Sequence, residues 1–194
     1  MVALFADVHA ATRILARALD DCRAAGVDTV ALLGDLFDRD EQADRCAEAL
    51  HGWPVLGVYG NHEREAALAA TTGELALNDV TIALLAALGE ELEIDDVRLT
   101  HEVTSWGQAD PYARLFGRAT AVAHPPGPRV TFTGHTHYRQ ARDDRGPLDI
   151  AHGELFLAAG RRYLINPGPL LTGQFAIWDR DADVVRFRHV QLDS

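Results

Sequence analysis

The stretch Val2-Ala3-Leu4-Phe5-Ala6-Asp7-Val8-His9 joins an apolar run of strand length to an Asp-x-His pair, and the same kind of join recurs along the chain. Thr29 to Leu33 leads into Gly34-Asp35-Leu36-Phe37-Asp38-Arg39, and Val55 to Tyr59 into Gly60-Asn61-His62-Glu63. Val97 to Leu99 leads into Thr100-His101, and Val130 to Thr133 into Gly134-His135-Thr136-His137. Each run is apolar, often β-branched and ended by Gly or polar residues, which predicts a short buried strand. In an open α/β sheet, sites form in the crevice beyond the carboxyl ends of the strands. Five polar clusters at five strand ends can therefore meet in one pocket, although they are far apart in sequence.

The spacing between clusters sets the architecture. Ile14, Leu15, Ala18, Leu19 and Cys22 recur at helical spacing up to Gly26, a natural helix stop. Asp35 follows Asp7 by 28 residues and Asn61 follows Asp35 by 26, each about the length of one strand–helix–strand unit. Two βαβ units in series with right-handed connections are expected, the second helix running over 41–50 and closed by Gly52 and Pro54. A longer helix is predicted over 71–88, a hairpin of 91–94 and 97–100 about Asp95-Asp96, and another helix over 111–122. His124-Pro125-Pro126-Gly127-Pro128 reads as a stiff loop. The C-terminal third reads as strands at 154–158, 163–165, 175–178 and 184–190. Parallel units followed by antiparallel hairpins imply an α/β fold of two mixed sheets packed together with helices outside, in one domain over residues 1–194.

The chain has 194 residues, 47% of them hydrophobic and 24% charged, enough to bury one good core. Its net charge is −11 and all 18 basic residues are Arg, a poor footprint for a stable nucleic-acid partner, which is held by cationic side chains against phosphates. A small phosphate ester held through bound cations remains compatible with this balance. Because Asp7 already belongs to the first cluster, no removable leader is expected, and no run approaches the roughly 20 apolar residues of a membrane span. Cys22 and Cys46 lack the spacing of a zinc knuckle or redox pair and read as buried free thiols of a cytoplasmic protein. A monomer and a homodimer are equally compatible with these properties.

Five of the nine histidines fall in the clusters. If the strands continue through them, Asp7 and His9, and likewise His135 and His137, point the same way at i, i+2 spacing. One such pair is a weak signal; five ordered clusters, with Gly34, Gly60 and Gly134 allowing close backbone approach, are a strong one. Together they resemble the ordered motifs of the calcineurin-like metallophosphoesterase superfamily: Asp-x-His, Gly-Asp-x-x-Asp/Asn, Gly-Asn-His-Glu/Asp, a lone His, and Gly-His-x-His. The match runs from Asp7 to His137, about two-thirds of the chain.

The resemblance implies a four-layer αββα sandwich and two metal ions bridged by Asp35. It assigns Asp7, His9, Asp35 and His137 to one ion, and Asp35, Asn61, His101 and His135 to the other. Carboxylate, imidazole and amide donors suit Mn²⁺, Fe, Zn²⁺ or Ni²⁺ better than Ca²⁺, with Mn²⁺ the leading expectation. Two such ions, roughly 3.5–4 Å apart, clamp a phosphate and hold a bridging hydroxide for in-line attack. His62 is outside that ligand set and is the candidate general acid. By the resemblance Asp38 orients it and Arg39 grips phosphate oxygens. Taken singly, His62 reads as a helix-start residue, Asp38 as a turn or N-cap, and Arg39 as a surface ion pair. Glu63 reads as structural.

Gly-His-x-His favours the compact phosphodiesterase branch, acting on a small or nucleotide-like substrate. Gly-Asn-His-Glu is the form found in protein phosphatases and diadenosine tetraphosphatases, so a phosphomonoesterase is the alternative. A non-catalytic scaffold of the same fold is a third reading, which lost ligands would signal. Glu102 stands where compact relatives usually have Gly. Pro169 replaces Ser in their Asn-Pro-Gly-Ser, and Asn166-Pro167-Gly168-Pro169 reads as a turn buttressing the site. His124 and Tyr138 are candidates to line a substrate cleft.

Overall fold

A computed structural model of the chain describes residues 1–38, 42–102 and 127–191. Arg39, the predicted helix at 111–122 and His124 lie outside these residues. Strands β1 (Val2–Phe5), β2 (Thr29–Leu33) and β3 (Val55–Val58) form at the first three apolar runs. They pair in parallel, Val2 beside Thr29 and Val30 beside Val55, with α1 (Thr12–Ala24) and α2 (Ala43–Ala49) in the two connections. Both helices stand where the expected βαβ units require them.

The predicted helix over 71–88 divides differently. Helix α3 (Asn61–Thr71) begins on the third cluster itself, and α4 (Asp79–Ala87) is a separate helix. Gly73, at φ +76°, ends the first of these helices. Asn78 starts the second, its side chain accepting from Thr81 N–H at 2.9 Å. The polar residues of Gly60-Asn61-His62-Glu63 hide a helix start that their apolar content does not announce.

The hairpin forms as expected, β4 (Glu91–Ile94) against β5 (Val97–Thr100). Then follow β6 (Val130–Phe132), β7 (Gln140–Asp143), β8 (Gly146–Pro147), β9 (Glu154–Phe156), β10 (Tyr163–Asn166), β11 (Gln174–Asp179) and β12 (Val184–His189). The sheets run β3-β2-β1-β11-β12-β9 and β4-β5-β6-β10-β7-β8. Both are mixed: β1 is parallel to β2 and antiparallel to β11, and β6 is parallel to β5 and β10 while β7 is antiparallel to β10. The architecture is thus α/β, two mixed six-stranded sheets flanked by helices. The strands β7 and β8 were not expected, because the polar Gln140, Arg142 and Asp143 mask β7, which pairs with β10 and β8, and the edge strand β8 has only two residues, Gly146 and Pro147.

The alternation along β1 and β2 explains the layers. Ala3, Phe5, Val30 and Leu32 face the helices and pack with Leu15, Leu19, Cys22 and Cys46. Val2, Leu4, Ala31 and Leu33 face the other sheet and pack with Leu99, Val130, Phe132 and Ile165. Strands covered on both faces must be apolar throughout, which is why these runs show no polar alternation. Each fully buried Leu or Phe contributes roughly 1.5–3 kcal/mol.

Both cysteines are buried, and burial pushes the Cys22 thiol up to about 12. In the native protein neither Cys22 nor Cys46 should react with Ellman's reagent at pH 8 over minutes, and both should react at once in 6 M guanidinium chloride. Rapid labelling of the folded chain would contradict this packing.

Candidate metal centre

The strands end before the chemistry begins. Asp7 and His9 lie beyond β1, and His135 and His137 beyond β6, all in left-handed backbone with φ of 51°, 45°, 66° and 51°; Asp35 has φ 54°. The shared direction of each i, i+2 pair therefore comes from loop geometry and not from the strand pleat, which corrects the expectation above. Each non-glycine residue in this region costs about 1–3 kcal/mol and persists only where its surroundings fix it. The fixing contacts are visible: Asp7 N–H donates to Gly34 O at 3.1 Å, Val8 N–H to Asp35 O at 2.7 Å, and Ala10 N–H to Leu36 O at 3.1 Å. A Cβ on Gly34 would overlap the His101 ring and one on Gly60 the Asp35 carboxylate, so both positions need glycine for this approach.

Glu63 ties the second and third clusters together. Its buried carboxylate accepts the N–H groups of Asp35 (2.8 Å), Leu36 (2.6 Å), Phe37 (3.2 Å) and Gly60 (2.7 Å). The last of these is half of a capping box, with Glu63 at the third position of α3 reaching back to the residue before it. Burial pushes the Glu63 carboxyl above its ordinary range, and the backbone donors oppose that push. The sequence reading left this residue structural without seeing that it holds Asp35; the Gly-x-x-Glu spacing at a helix start was the available signal.

The structure brings Asp7, His9, Asp35 and His137 together, each offering a donor atom within 4.8 Å of the others, and Asp35, His101 and His135 together on the same criterion. Asn61 joins the second group, its Oδ1 lying 3.3 Å from His101 Nε2. Asp35 is common to both. The tautomers follow from the outer contacts: His101 Nδ1–H donates to Leu33 O at 2.8 Å and His9 Nδ1–H to Asp38 Oδ1 at 2.7 Å, so both Nε2 atoms face inward. His9 Nε2 stands 2.9 Å from His137 Nε2, and His101 Nε2 stands 3.2 Å from His135 Nδ1. Asp7 accepts His135 N–H on Oδ1 at 2.8 Å, while its buried Oδ2 has no hydrogen-bond partner among the described residues. An orphaned carboxylate oxygen on a residue grouped with converging imidazole nitrogens fits divalent cations with nitrogen and oxygen ligands.

Asp38 does more than the sequence reading asked of it. Its Oδ1 lies 3.1 Å from His62 Nδ1 and also takes the His9 bond, so it joins the candidate acid to the first group. The rings of His9 and His62 meet edge to face at 4.8 Å. Asn166 buttresses the fifth cluster, donating to Gly134 O at 2.8 Å and Thr136 Oγ1 at 3.1 Å, and Leu171 N–H reaches Asp7 O at 3.1 Å. Tyr138 is 68% exposed beside His137. An open cleft of about 620 Å³ starts at Asn61 and His101 and is also lined by Tyr59, Arg64, Glu90, Glu91, Thr100 and Glu102. Arg64 and Glu90 were missed, since their meeting joins α3 to the residue before β4, 26 positions away in sequence, and leaves no local pattern.

The model of the calcineurin-like phosphoesterase superfamily domain matches residues 1–177, and the chain belongs to that superfamily. The fold is similar to that of a metallophosphoesterase from Sphaerobacter thermophilus, with a TM-score of 0.68 at 22% identity over 99% of this chain and 89% of that one. It is also similar to an archaeal phosphodiesterase, with a TM-score of 0.58 at 17% identity over 97% of this chain and 99% of that one. In sequence the chain is 23% identical over 185 residues to an uncharacterised protein of Methanocaldococcus jannaschii, covering 87% of this chain and 75% of that protein. The family is metal-dependent, and the two donor groups described above are candidate metal-binding residues. Among the described residues no helix is long and apolar enough to cross a membrane.

Two predictions follow from the geometry. Glu63→Ala leaves four buried N–H groups without their acceptor and should cost about 3 kcal/mol or more; it should also weaken Mn²⁺ binding about 10–100-fold by freeing Asp35. Urea unfolding and calorimetric titration measure the two effects.

The second concerns the metal-free chain, in which His101 Nε2 lies 3.2 Å from Asp35 Oδ2. Burial opposes both charges, yet the pair wins: Asp35 is held below 3.8 by His101, and His101 above 6.5 by Asp35. The Asp35 contribution is present above 3.8 and lost as pH falls through its folded value. The His101 contribution is present below 6.5 and lost as pH rises through its folded value. Chelator-stripped protein should therefore lose Tm between pH 6 and pH 8.5, and His101→Gln should flatten that slope. Because metal needs neutral imidazole, added Mn²⁺ should reverse the slope.

Proposed function

We propose that the chain is a dinuclear, metal-dependent phosphoester hydrolase and, within that class, a phosphodiesterase acting on a small or nucleotide-like substrate. The observation that carries this reading is the membership of Asp35 in both donor groups, with Asp7, His9 and His137 on one side and His101 and His135 on the other. On this reading Asp7, His9, Asp35 and His137 hold one ion, and Asp35, Asn61, His101 and His135 hold the second. The donor set favours Mn²⁺ and admits Fe, Zn²⁺ or Ni²⁺. When bound, the two ions supply the positive charge that steadies phosphate oxygens and raises the acidity of water.

The remaining roles belong to the chain. The Asp38 carboxylate lies 3.1 Å from His62 Nδ1 and orients the ring, and on this reading the transferable proton sits on Nε2. His62 gives that proton to the leaving oxygen. The backbone N–H of His62 donates to Asp35 Oδ1 at 3.1 Å, which keeps the acid and the shared carboxylate in fixed relation. Arg39, next to Asp38 in sequence, grips phosphate oxygens through its planar fork.

Mn²⁺-loaded protein should cleave bis-p-nitrophenyl phosphate and lose the activity on chelation. If it cleaves neither this diester nor p-nitrophenyl phosphate, the reading is wrong, and a larger rate on the monoester would favour a phosphomonoesterase. His62→Ala should slow an alkyl leaving group about 10²–10⁴-fold, the usual worth of a general acid, and p-nitrophenolate far less. Equal losses on both would remove His62 from the acid role.

A further inference from the structure

The cleft that starts at Asn61 and His101 has three carboxylates in its wall, Glu90, Glu91 and Glu102. Two of them are neutralised. Glu90 pairs with Arg64 at 3.4 Å, and Glu91 with Arg98 at 3.0 Å. The Arg64 guanidinium is further engaged by the Tyr59 ring, 5.5 Å from its centroid. Glu102 is different: among the described residues its side chain has no ion-pair partner, and it is exposed to the cleft. Its backbone is fixed by Thr100, whose Oγ1–H donates to Glu102 O at 3.0 Å. Among the described residues, one carboxylate without an ion-pair partner thus stands in the wall of this cleft, one residue from His101.

The geometry points to Glu102 as a specificity-determining residue: it admits phosphodiester monoanions whose leaving group is uncharged or cationic, and it turns away phosphate dianions and polyphosphates. This rests on the phosphoesterase reading and names the substrate class of that same site. Attraction by bound metal acts on the scissile phosphate of every substrate. Glu102 repels every negative charge a substrate carries, so a monoester dianion is penalised by one unit charge more than a diester monoanion. One extra unit charge some 8 Å from a carboxylate, at an effective dielectric of 20–80, changes relative affinity by about 3- to 30-fold. The effect should weaken with salt, because the charges face water and the Debye length at 0.1 M is about 10 Å.

The test compares Mn²⁺-loaded wild type, Glu102→Gln and Glu102→Lys. Two readouts are taken: kcat/KM on p-nitrophenyl phosphate against bis-p-nitrophenyl phosphate, and calorimetric affinity for inorganic phosphate against dimethyl phosphate at pH 8. Glu102→Gln should raise the monoester-to-diester ratio about 3- to 30-fold and tighten inorganic phosphate relative to dimethyl phosphate by a similar factor. Glu102→Lys should go further in the same direction, and 0.5 M salt should shrink the difference between wild type and variants. Turnover with a ratio and a phosphate affinity unchanged within twofold in both variants overturns the role of Glu102 and leaves the phosphoesterase reading intact. No turnover by any form, with phosphate affinity still rising in the variants, removes the phosphoesterase reading and keeps Glu102 as a charge filter.

Discussion

Four backbone N–H groups converging on the buried Glu63 carboxylate hold the site in place. A carboxylate taken out of water without partners costs several kcal/mol, and here every donor comes from a segment whose path matters. Gly60 brings the end of β3, while Asp35, Leu36 and Phe37 bring the turn after β2. The partial positive charge at the start of α3 adds to the same effect. The interaction works in both directions: the donors make a buried carboxylate tolerable, and the carboxylate satisfies a turn that would otherwise bury unpaired amides. Asp35 is drawn into its left-handed conformation by this bond and by the glycine beside it, so the shared ligand candidate inherits its position from a residue that touches no substrate.

Strain and polarity are concentrated where the regular structure stops. Asp7, His9, Asp35, His135 and His137 all adopt positive φ, which the ladder of a strand would forbid. The cost is spread over contacts that cross between clusters, such as Val8 N–H to Asp35 O and Leu171 N–H to Asp7 O. These bonds are local in space and distant in sequence. The loops can hold strained conformations because each is bonded to its neighbour, and removing one neighbour loosens the rest.

Much of this was legible in the residues. Runs such as Val2 to Ala6 and Thr29 to Leu33 are apolar on both faces, which only a doubly covered strand requires, and the 28- and 26-residue intervals mark βαβ units. The two donor groups were legible because their members are chemically distinctive and ordered. What escaped was whatever depends on conformation. The left-handed backbone of the ligand candidates has no compositional mark, since aspartate and histidine occur in every conformation. Helix α3 was hidden because its first turn is made of functional residues. The contacts of Asp38 with both His9 and His62, and the meeting of Arg64 with Glu90, are products of packing, and spacing alone cannot express them.

The two sheets divide the chemistry between them. Asp7, Asp35, Asn61, His62 and Asp38 follow strands of the first sheet, and His101, His135 and His137 follow strands of the second. The seam is closed by His101 Nδ1–H to Leu33 O at 2.8 Å and His135 N–H to Asp7 Oδ1 at 2.8 Å. Gly34 and Gly134 permit this approach, each lying where a Cβ would meet the opposite sheet's loop. The apolar layer between the sheets, with Leu4, Leu33, Phe132 and Ile165 buried in it, therefore sets the separation of the two halves of the site. Protein interiors are close-packed and transmit volume changes, so a change of one methylene in that layer alters the gap between Asp7, His9, Asp35 and Asn61 on one side and His101, His135 and His137 on the other. The centre is thereby a sensor of inter-sheet packing: its geometry is held by a hydrophobic layer that contains no functional residue.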